Sequence, residues 1–309
     1  MHGSGAPLAG IRSHTWRMSK LILSSLVAVL TGLLSACSPL TIVNAVSPAG
    51  SIQARHALRY GSDPRNALDV YRPAGNAASA PVIVFFYGGN WVSGKREDYA
   101  FVGRALAARG FVVVVPDYRL YPQVRYPDFL VDSASALAWT AREITAYGGD
   151  PKQIFVIGHS AGAYNAAMLA LDPRWLGTQG MKPDMLRGWI GLAGPYDFLP
   201  VTNRTTRPVF DAPATPPDSQ PIAHVDASSP PALLIAANKD KLVDPVRNTG
   251  GMTARLRANH VPVRALYYDG VSHATLVASL SNSLKGLAPT LDAVEAFVRS
   301  DGGRRSASP

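Results

Sequence analysis

The stretch Lys152-Gln-Ile-Phe-Val-Ile-Gly-His-Ser-Ala-Gly-Ala163 decides how the rest of the chain is read. Ile154 to Ile157 is a short β-branched and aromatic run of the kind that forms a buried strand. Ala161 to Leu171 is rich in Ala, Leu and Met, which are strong helix formers. Between them lies Gly158-His159-Ser160-Ala161-Gly162, a Gly-x-Ser-x-Gly sequence in a strand-to-helix context. A residue held on so sharp a turn is forced into a strained backbone conformation, and the flanking glycines remove the Cβ atoms that would collide across it. Ser160 would thereby stand clear of the sheet. The amide of Ala161 opens the helix, so it is an unpaired donor with the positive end of the helix dipole behind it, aimed where an oxyanion would form. Without partners for Ser160 elsewhere, the same five residues would be an ordinary glycine-rich loop.

Outward from this turn, strands and helices alternate. Ala67 to Pro73 reads as an early antiparallel strand and Pro81 to Tyr87 as a continuous apolar one, broken by Gly88-Gly89-Asn90-Trp91. Tyr99 to Arg109 has helical spacing, Phe111 to Val115 is a second buried strand, and Val131 to Tyr147 reads as a long helix capped at Gly148-Gly149. Beyond the turn come strands at Gly188 to Ala193, Ala232 to Ala236 and Val261 to Tyr268, with helices at Asn248 to Ala258 and Leu287 to Val298. This alternation predicts an α/β fold with one mostly parallel central sheet flanked by helices. Residues 197–231 shift to Pro, Thr, Asp and Ser without a period, which reads as a lid over a cleft or as a surface excursion. The catalytic domain is expected to span 59–301, followed by a flexible tail at 302–309.

A serine hydroxyl is a poor nucleophile near neutral pH; it needs a base, and the base needs a carboxylate to fix its tautomer. On this architecture the chain order is Ser, then Asp or Glu, then His. His2, His14 and His56 precede Ser160, His159 lies inside the turn, His224 comes before the best acid, and His260 sits between a helix and the last strand. His273 remains, in a loop just past the last strand, where open α/β sheets carry their working residues. Asp240, just past the strand ending at Ala236, is the favoured acid, with Asp244 and then Asp269 as alternatives. The second half of the oxyanion hole is expected from the amides of Gly89 and Asn90. Trp91 and the 197–231 segment would bound the substrate cleft, which makes Trp91 the candidate substrate-binding residue. The chemistry calls for no cofactor and no metal.

With 309 residues, 47% hydrophobic and 17% charged, the chain can bury a substantial core. Its net charge of +9 does not imply nucleic acid: residues 1–36 carry three basic and no acidic residues, so removing them leaves +6, mostly scattered singly. The N-terminus has a basic start and an apolar run from Leu21 to Leu34; its 14 residues are too few to span a bilayer and fit a secretory signal. Cys37 is the only cysteine, which rules out an intramolecular disulfide. The end of the signal, Leu34-Ser35-Ala36-Cys37, resembles the lipobox of bacterial lipoproteins, in which the cysteine is lipidated. Residues 1–36 would then be leader and signal, with Met18 the start, and 37–58 an aperiodic tether. On that resemblance the protein is expected at the bacterial cell envelope, held to the membrane through Cys37, with a secreted or periplasmic protein as the alternative.

The chain resembles the α/β-hydrolase superfamily, and within it the hormone-sensitive-lipase-like carboxylesterases and the related feruloyl-esterase and kynurenine-formamidase-like branch. The resemblance rests on Leu68-Asp-Val-Tyr-Arg-Pro73, Tyr87-Gly-Gly-Asn-Trp91, Asp117-Tyr-Arg-Leu-Tyr-Pro122, Gly148-Gly-Asp-Pro151 and Gly158-His-Ser-Ala-Gly162, together with Asp240 and His273. It departs from the family's His-Gly-Gly-Gly, since Tyr87 replaces the histidine and Asn90 the third glycine. The resemblance implies a serine hydrolase that cleaves small or short-chain carboxylic esters through an acyl-enzyme. An amide or formamide hydrolase or peptidase with the same three residues is the first alternative, and a catalytically silent envelope binding module the second.

Overall fold

Val112 to Val115 and Val82 to Phe86 present apolar side chains to both faces of whatever sheet they join, an arrangement that is stable only when helices cover both sides. The computed structural model describes residues 1–3, 39–48, 50–75 and 79–304. The chain divides at Ile42/Val43 into two units, and the sheet lies wholly in the second. Its strands are β1 (Ile52–Arg59), β2 (Ala67–Pro73), β3 (Ala80–Phe86), β4 (Val112–Pro116), β5 (Gly149–His159), β6 (Leu186–Leu192), β7 (Ala232–Ala237) and β8 (Val263–Tyr268). They lie in the order β1-β2-β4-β3-β5-β6-β7-β8. β1 and β2 run antiparallel to their neighbours, and the other six are parallel. This is the α/β-hydrolase fold.

The helices are α1 (Pro39–Val46), α2 (Ala100–Ala107), α3 (Asp128–Glu143), α4 (Ala161–Leu171), α5 (Pro173–Gly177), α6 (Gly251–Ala258), α7 (His273–Ala278) and α8 (Thr290–Arg299). Every residue of α4 is buried: most are small and apolar, and Tyr164 and Asn165 find hydrogen-bond partners. Parallel strands end on one rim of the sheet. The loops after β3, β5, β7 and β8 therefore bring Gly89 and Asn90, Ser160, Asp240 and His273 to the same side.

Several expected boundaries change. Residues 37–58 are not an aperiodic tether: they contain α1 and most of β1. The Asn44 side chain donates to the carbonyls of Glu97 and Asp98 and accepts the Phe101 amide, and Ser47 Oγ meets Ser281 Oγ at 2.6 Å. β1 escaped notice because it is a mostly exposed edge strand with a bulge between Arg55 and Leu58, so no apolar alternation marks it. The long helix ends at Glu143, continues as a 3-10 turn over Ile144–Tyr147, and stops at Gly148 with φ +84°. Asn248 belongs to a π-turn preceding α6, and α8 starts at Thr290 rather than Leu287. The flexible tail does not begin at 302, since Gly302 is buried and donates its amide to the Phe297 carbonyl at 2.9 Å. The signal segment and Cys37 lie outside the described residues, as do residues 305–309.

Candidate active site

Ser160 has φ +55° and ψ −122°, a conformation that costs a non-glycine residue of order 1–3 kcal/mol and persists only where its surroundings enforce it. Main-chain crowding enforces it here. A Cβ on Gly158 would lie 2.0 Å from the Gly162 carbonyl oxygen, and one on Gly162 would lie 2.0 Å from that of Phe86. Strand, turn and helix thus pack backbone to backbone, and only glycine fits. The Ser160 amide is fixed by the Leu192 carbonyl at 2.9 Å, which ties the turn to β6.

His273 is not in a loop: it is the first residue of α7. Ser272 caps that helix, its hydroxyl accepting the Thr275 amide while the Thr275 hydroxyl accepts the Ser272 amide. Ser272-x-x-Thr275 is a legible capping signal, though Thr is less usual than Glu or Gln in that place. His273 Nδ1 lies 2.7 Å from Asp240 Oδ2. The other oxygen, Oδ1, accepts the amides of Leu242 at 2.8 Å and Val243 at 3.0 Å. Burial opposes ionisation of Asp240, but the His273 hydrogen bond and these amides outweigh it and hold the carboxyl below its ordinary range. An ionised acid on Nδ1–H leaves Nε2 of His273 as the basic atom.

The alternative acids are occupied elsewhere. Asp244 Oδ1 accepts the amides of Val246 and Arg247, and Asp269 Oδ1 accepts the Asn238 side chain at 2.9 Å. Of the excluded histidines, His224 Nε2 bonds the Asp218 carbonyl and His56 pairs with Asp69.

The loop after β3 carries three successive positive φ values, at Gly89 (+131°), Asn90 (+54°) and Trp91 (+58°). A Cβ on Gly89 would lie 2.2 Å from the Ser93 carbonyl oxygen, so no other residue fits there. Neither Gly89 nor Asn90 gives its amide to a main-chain carbonyl of a described residue, and Ala161, as the first residue of α4, has no acceptor within the helix. Asn90, Ser160 and Ala161 line a cleft of about 130 Å³, closed by Phe198, Val201 and Val243 among others. Trp91 forms its floor rather than its rim. The indole is 2% exposed, donates Nε1–H to Asn165 Oδ1 at 2.9 Å and packs against Phe129, Tyr164 and Phe210. Among the described residues no cluster of His, Cys, Asp or Glu is suited to a metal.

Residues 68–253 match the family model described as BD-FAE. The chain belongs to the BD-FAE family. Among sequence relatives it is similar to isoprenylcysteine alpha-carbonyl methylesterase ICME of Arabidopsis thaliana, 35% identical over 48% of this chain and 36% of the relative. It is also similar to esterase LipC of Mycobacterium tuberculosis, 33% identical over 71% of this chain and 59% of that protein. The chain thus spans well under two thirds of the length of these relatives. In fold it is similar to a tributyrin phosphonate-inhibited esterase B from Lactobacillus rhamnosis, with a TM-score of 0.72, 18% identity and coverage of 93% of this chain and 99% of the other. A second similar structure is the butyrate-bound Est2 esterase from Thermogutta terrifontis, with a TM-score of 0.67, 20% identity and coverage of 84% and 98%.

In this BD-FAE chain the structure also accounts for Tyr87. Its hydroxyl donates to Asp117 Oδ1 and accepts from Arg65 Nη2, each at 2.7 Å, its carbonyl accepts the Tyr118 hydroxyl, and its ring stacks between Tyr99 and Tyr118. Burial and the Asp117 charge raise the Tyr87 phenol well above its ordinary value, so it stays neutral. Tyr87 therefore braces the 88–91 loop from behind. Sequence reasoning missed this brace, and it missed Asn165, because both depend on partners far away in the chain.

Proposed function

We propose that the protein is a serine carboxylesterase acting on small or short-chain esters. The observation that carries this is the His273–Asp240 pair at 2.7 Å, on the rim where Ser160 sits in a strained turn at the cleft. As Ser160 Oγ bonds to the ester carbonyl carbon, its proton passes to His273 Nε2 and the carbonyl electrons move to oxygen. The resulting oxyanion is met by the amides of Ala161 and Asn90, with Gly89 beside them. Collapse of this intermediate breaks the bond to the alkoxy oxygen, which leaves with the proton from His273, and the acyl group remains on Ser160. Water then attacks with His273 again as base, releasing the carboxylic acid and restoring the hydroxyl.

Two features support the short-chain preference. The cleft, at about 130 Å³, is well below the roughly 300–1,000 Å³ of sites for drug-sized ligands. Its floor is closed by the packed Trp91 cluster. An organophosphonate should add covalently at Ser160, and Ser160→Ala should lower turnover on p-nitrophenyl acetate by several powers of ten. Near-normal hydrolysis by that variant would overturn the assignment. Aryl formamides and aminoacyl anilides assayed alongside separate ester from amide preference.

For location, we propose a lipid anchor at Cys37, supported by the Leu34-Ser-Ala-Cys37 sequence and the apolar run before it. A stable anchor requires more than one acyl chain, as bacterial lipoproteins carry. Wild type should pellet with membranes and incorporate labelled lipid, and Cys37→Ser should lose the label. A wild type recovered without lipid would make the signal an ordinary secretory one.

A further inference from the structure

His159 is spent by neither the nucleophile nor the base, yet it touches both. It is the last residue of β5 and is 5% exposed. Its Nε2 lies 2.9 Å from the main-chain carbonyl oxygen of His273. A carbonyl can only accept, so Nε2 carries the proton and Nδ1 is a bare lone pair. That Nδ1 is buried with no hydrogen-bond partner. The two imidazole rings lie 4.9 Å apart, inclined at 50°. On the other side, a Cβ placed on Gly88 would come 3.1 Å from His159 Nδ1 and 3.0 Å from Ser160 Cβ, so the ring is wedged between the oxyanion loop and the base. A buried unpaired acceptor of this kind is destabilising, and a Leu or Met would fill the same space without it.

We propose that His159 is a positioning residue for the general base: its Nε2–H clamps the His273 carbonyl, and its uncharged ring holds the imidazole against Asp240. The inference rests on the esterase reading of Ser160, Asp240 and His273. Burial, and after it the nearby His273, push the His159 imidazole down to about 3, while its bond to the His273 carbonyl and the charge of Asp240 act the other way. His273 and Asp240 are the titratable groups that face it. Near neutral pH His159 is thus a donor without charge. A cation in its place would repel the imidazolium that forms when His273 takes the Ser160 proton. The clamp acts at the start of α7, so the same contact sets where the helix begins and where its first side chain points.

The test compares His159→Gln, which keeps an N–H at similar reach, with His159→Phe and His159→Met, which fill the space without one. On p-nitrophenyl acetate the Phe and Met variants should lose roughly 10- to 100-fold in kcat with little change in KM, the scale of a misplaced catalytic group. Their kcat/KM–pH profiles should have an acid limb moved to lower pH, because a loosened His273–Asp240 pair holds the imidazolium less firmly. His159→Gln should recover most of the rate and the wild-type profile. Thermal melts and phosphonate titration of Ser160 establish that each variant is folded; if the Phe variant is not, Met against Gln decides. Wild-type kcat in the donor-less variants would overturn the proposal. Equal losses in Gln and Met with an unmoved pH profile would do so too, by reducing His159 to packing. Failure of the esterase reading itself looks different: Ser160→Ala would then be as active as wild type.

Discussion

The nucleophile turn and the 197–231 segment border the same cleft and are built in different ways. At the turn, main chain meets main chain: Gly162 lies against the Phe86 carbonyl and the Ser160 amide is bound by Leu192. In 197–231 the described residues form no helix longer than four residues, and side chains reach in to hold the backbone. Asn248 Oδ1 accepts the amides of Tyr196 and Asp197, Gln220 Oε1 accepts that of Phe198, and Arg247 pairs with Asp197. Backbone crowding admits no alternative residue, whereas a side-chain strut can be exchanged for another. On the proposed reading, the bond-making residues sit where substitution is barred, and the cleft wall opposite them sits where it is tolerated.

If that division holds, effects should shrink from the site's backbone outward. Asp240→Asn, which removes the charge on His273 Nδ1, should reduce kcat by about 10³–10⁴ in steady-state ester hydrolysis, while Asp244→Asn should stay within about threefold. The reverse ranking would hand the acid's role to Asp244. Gly162→Ala forces a Cβ into the Phe86 carbonyl and should cost about 3 kcal/mol, lowering the calorimetric Tm by roughly 6 °C or more. A wild-type melt would show that the turn can relax. Asn248→Ala should cost about 1–3 kcal/mol, because the buried Tyr196 amide loses its acceptor. It should raise KM roughly threefold with little effect on kcat; a larger fall in kcat would place the wall within the machinery.

The last expected effect is on stability against pH. The His159 imidazole is held down from 6.5 to about 3, so the unfolded chain binds a proton that the folded one refuses across that window. Stability should fall as pH drops from about 6.5 towards 3. The depressed Asp240 carboxyl acts in the same direction, its contribution being present above the unfolded carboxylate range near 3.9 and lost below it. Denaturant titrations between pH 6.5 and 4 should show a shallower decline for His159→Gln than for wild type. Equal slopes would mean that His159 takes up a proton in the folded state.

The parallel part of the sheet was legible because most of its strands are continuous apolar runs, and the candidate site residues follow those runs in a fixed order. Asp240 could be favoured over Asp244 because it lies nearer the end of β7. What stayed hidden had a weak local signature or none. β1 has too few buried positions to alternate, and α7 is only six residues long. The Tyr87 brace joins residues 22 and 30 positions away, and the Trp91–Asn165 bond spans 74. His159 was legible as a residue and set aside as part of the turn, since nothing in the sequence shows that its ring reaches the carbonyl of a residue 114 positions on.

The sheet order also fixes when this chemistry can begin. Ser160 follows β5 and the 88–91 loop follows β3; β3 pairs with both β5 and β4, and all three strands precede β6 in the chain. Asp240 and His273, the proposed acid and base, follow β7 and β8, which attach beyond β6 and are the last strands made. A chain made only as far as β6 contains Ser160 but neither Asp240 nor His273, and because a domain folds as a unit the three come together only once the last two strands have been made. On the proposed mechanism, a chain that stops before β7 should therefore hydrolyse no ester.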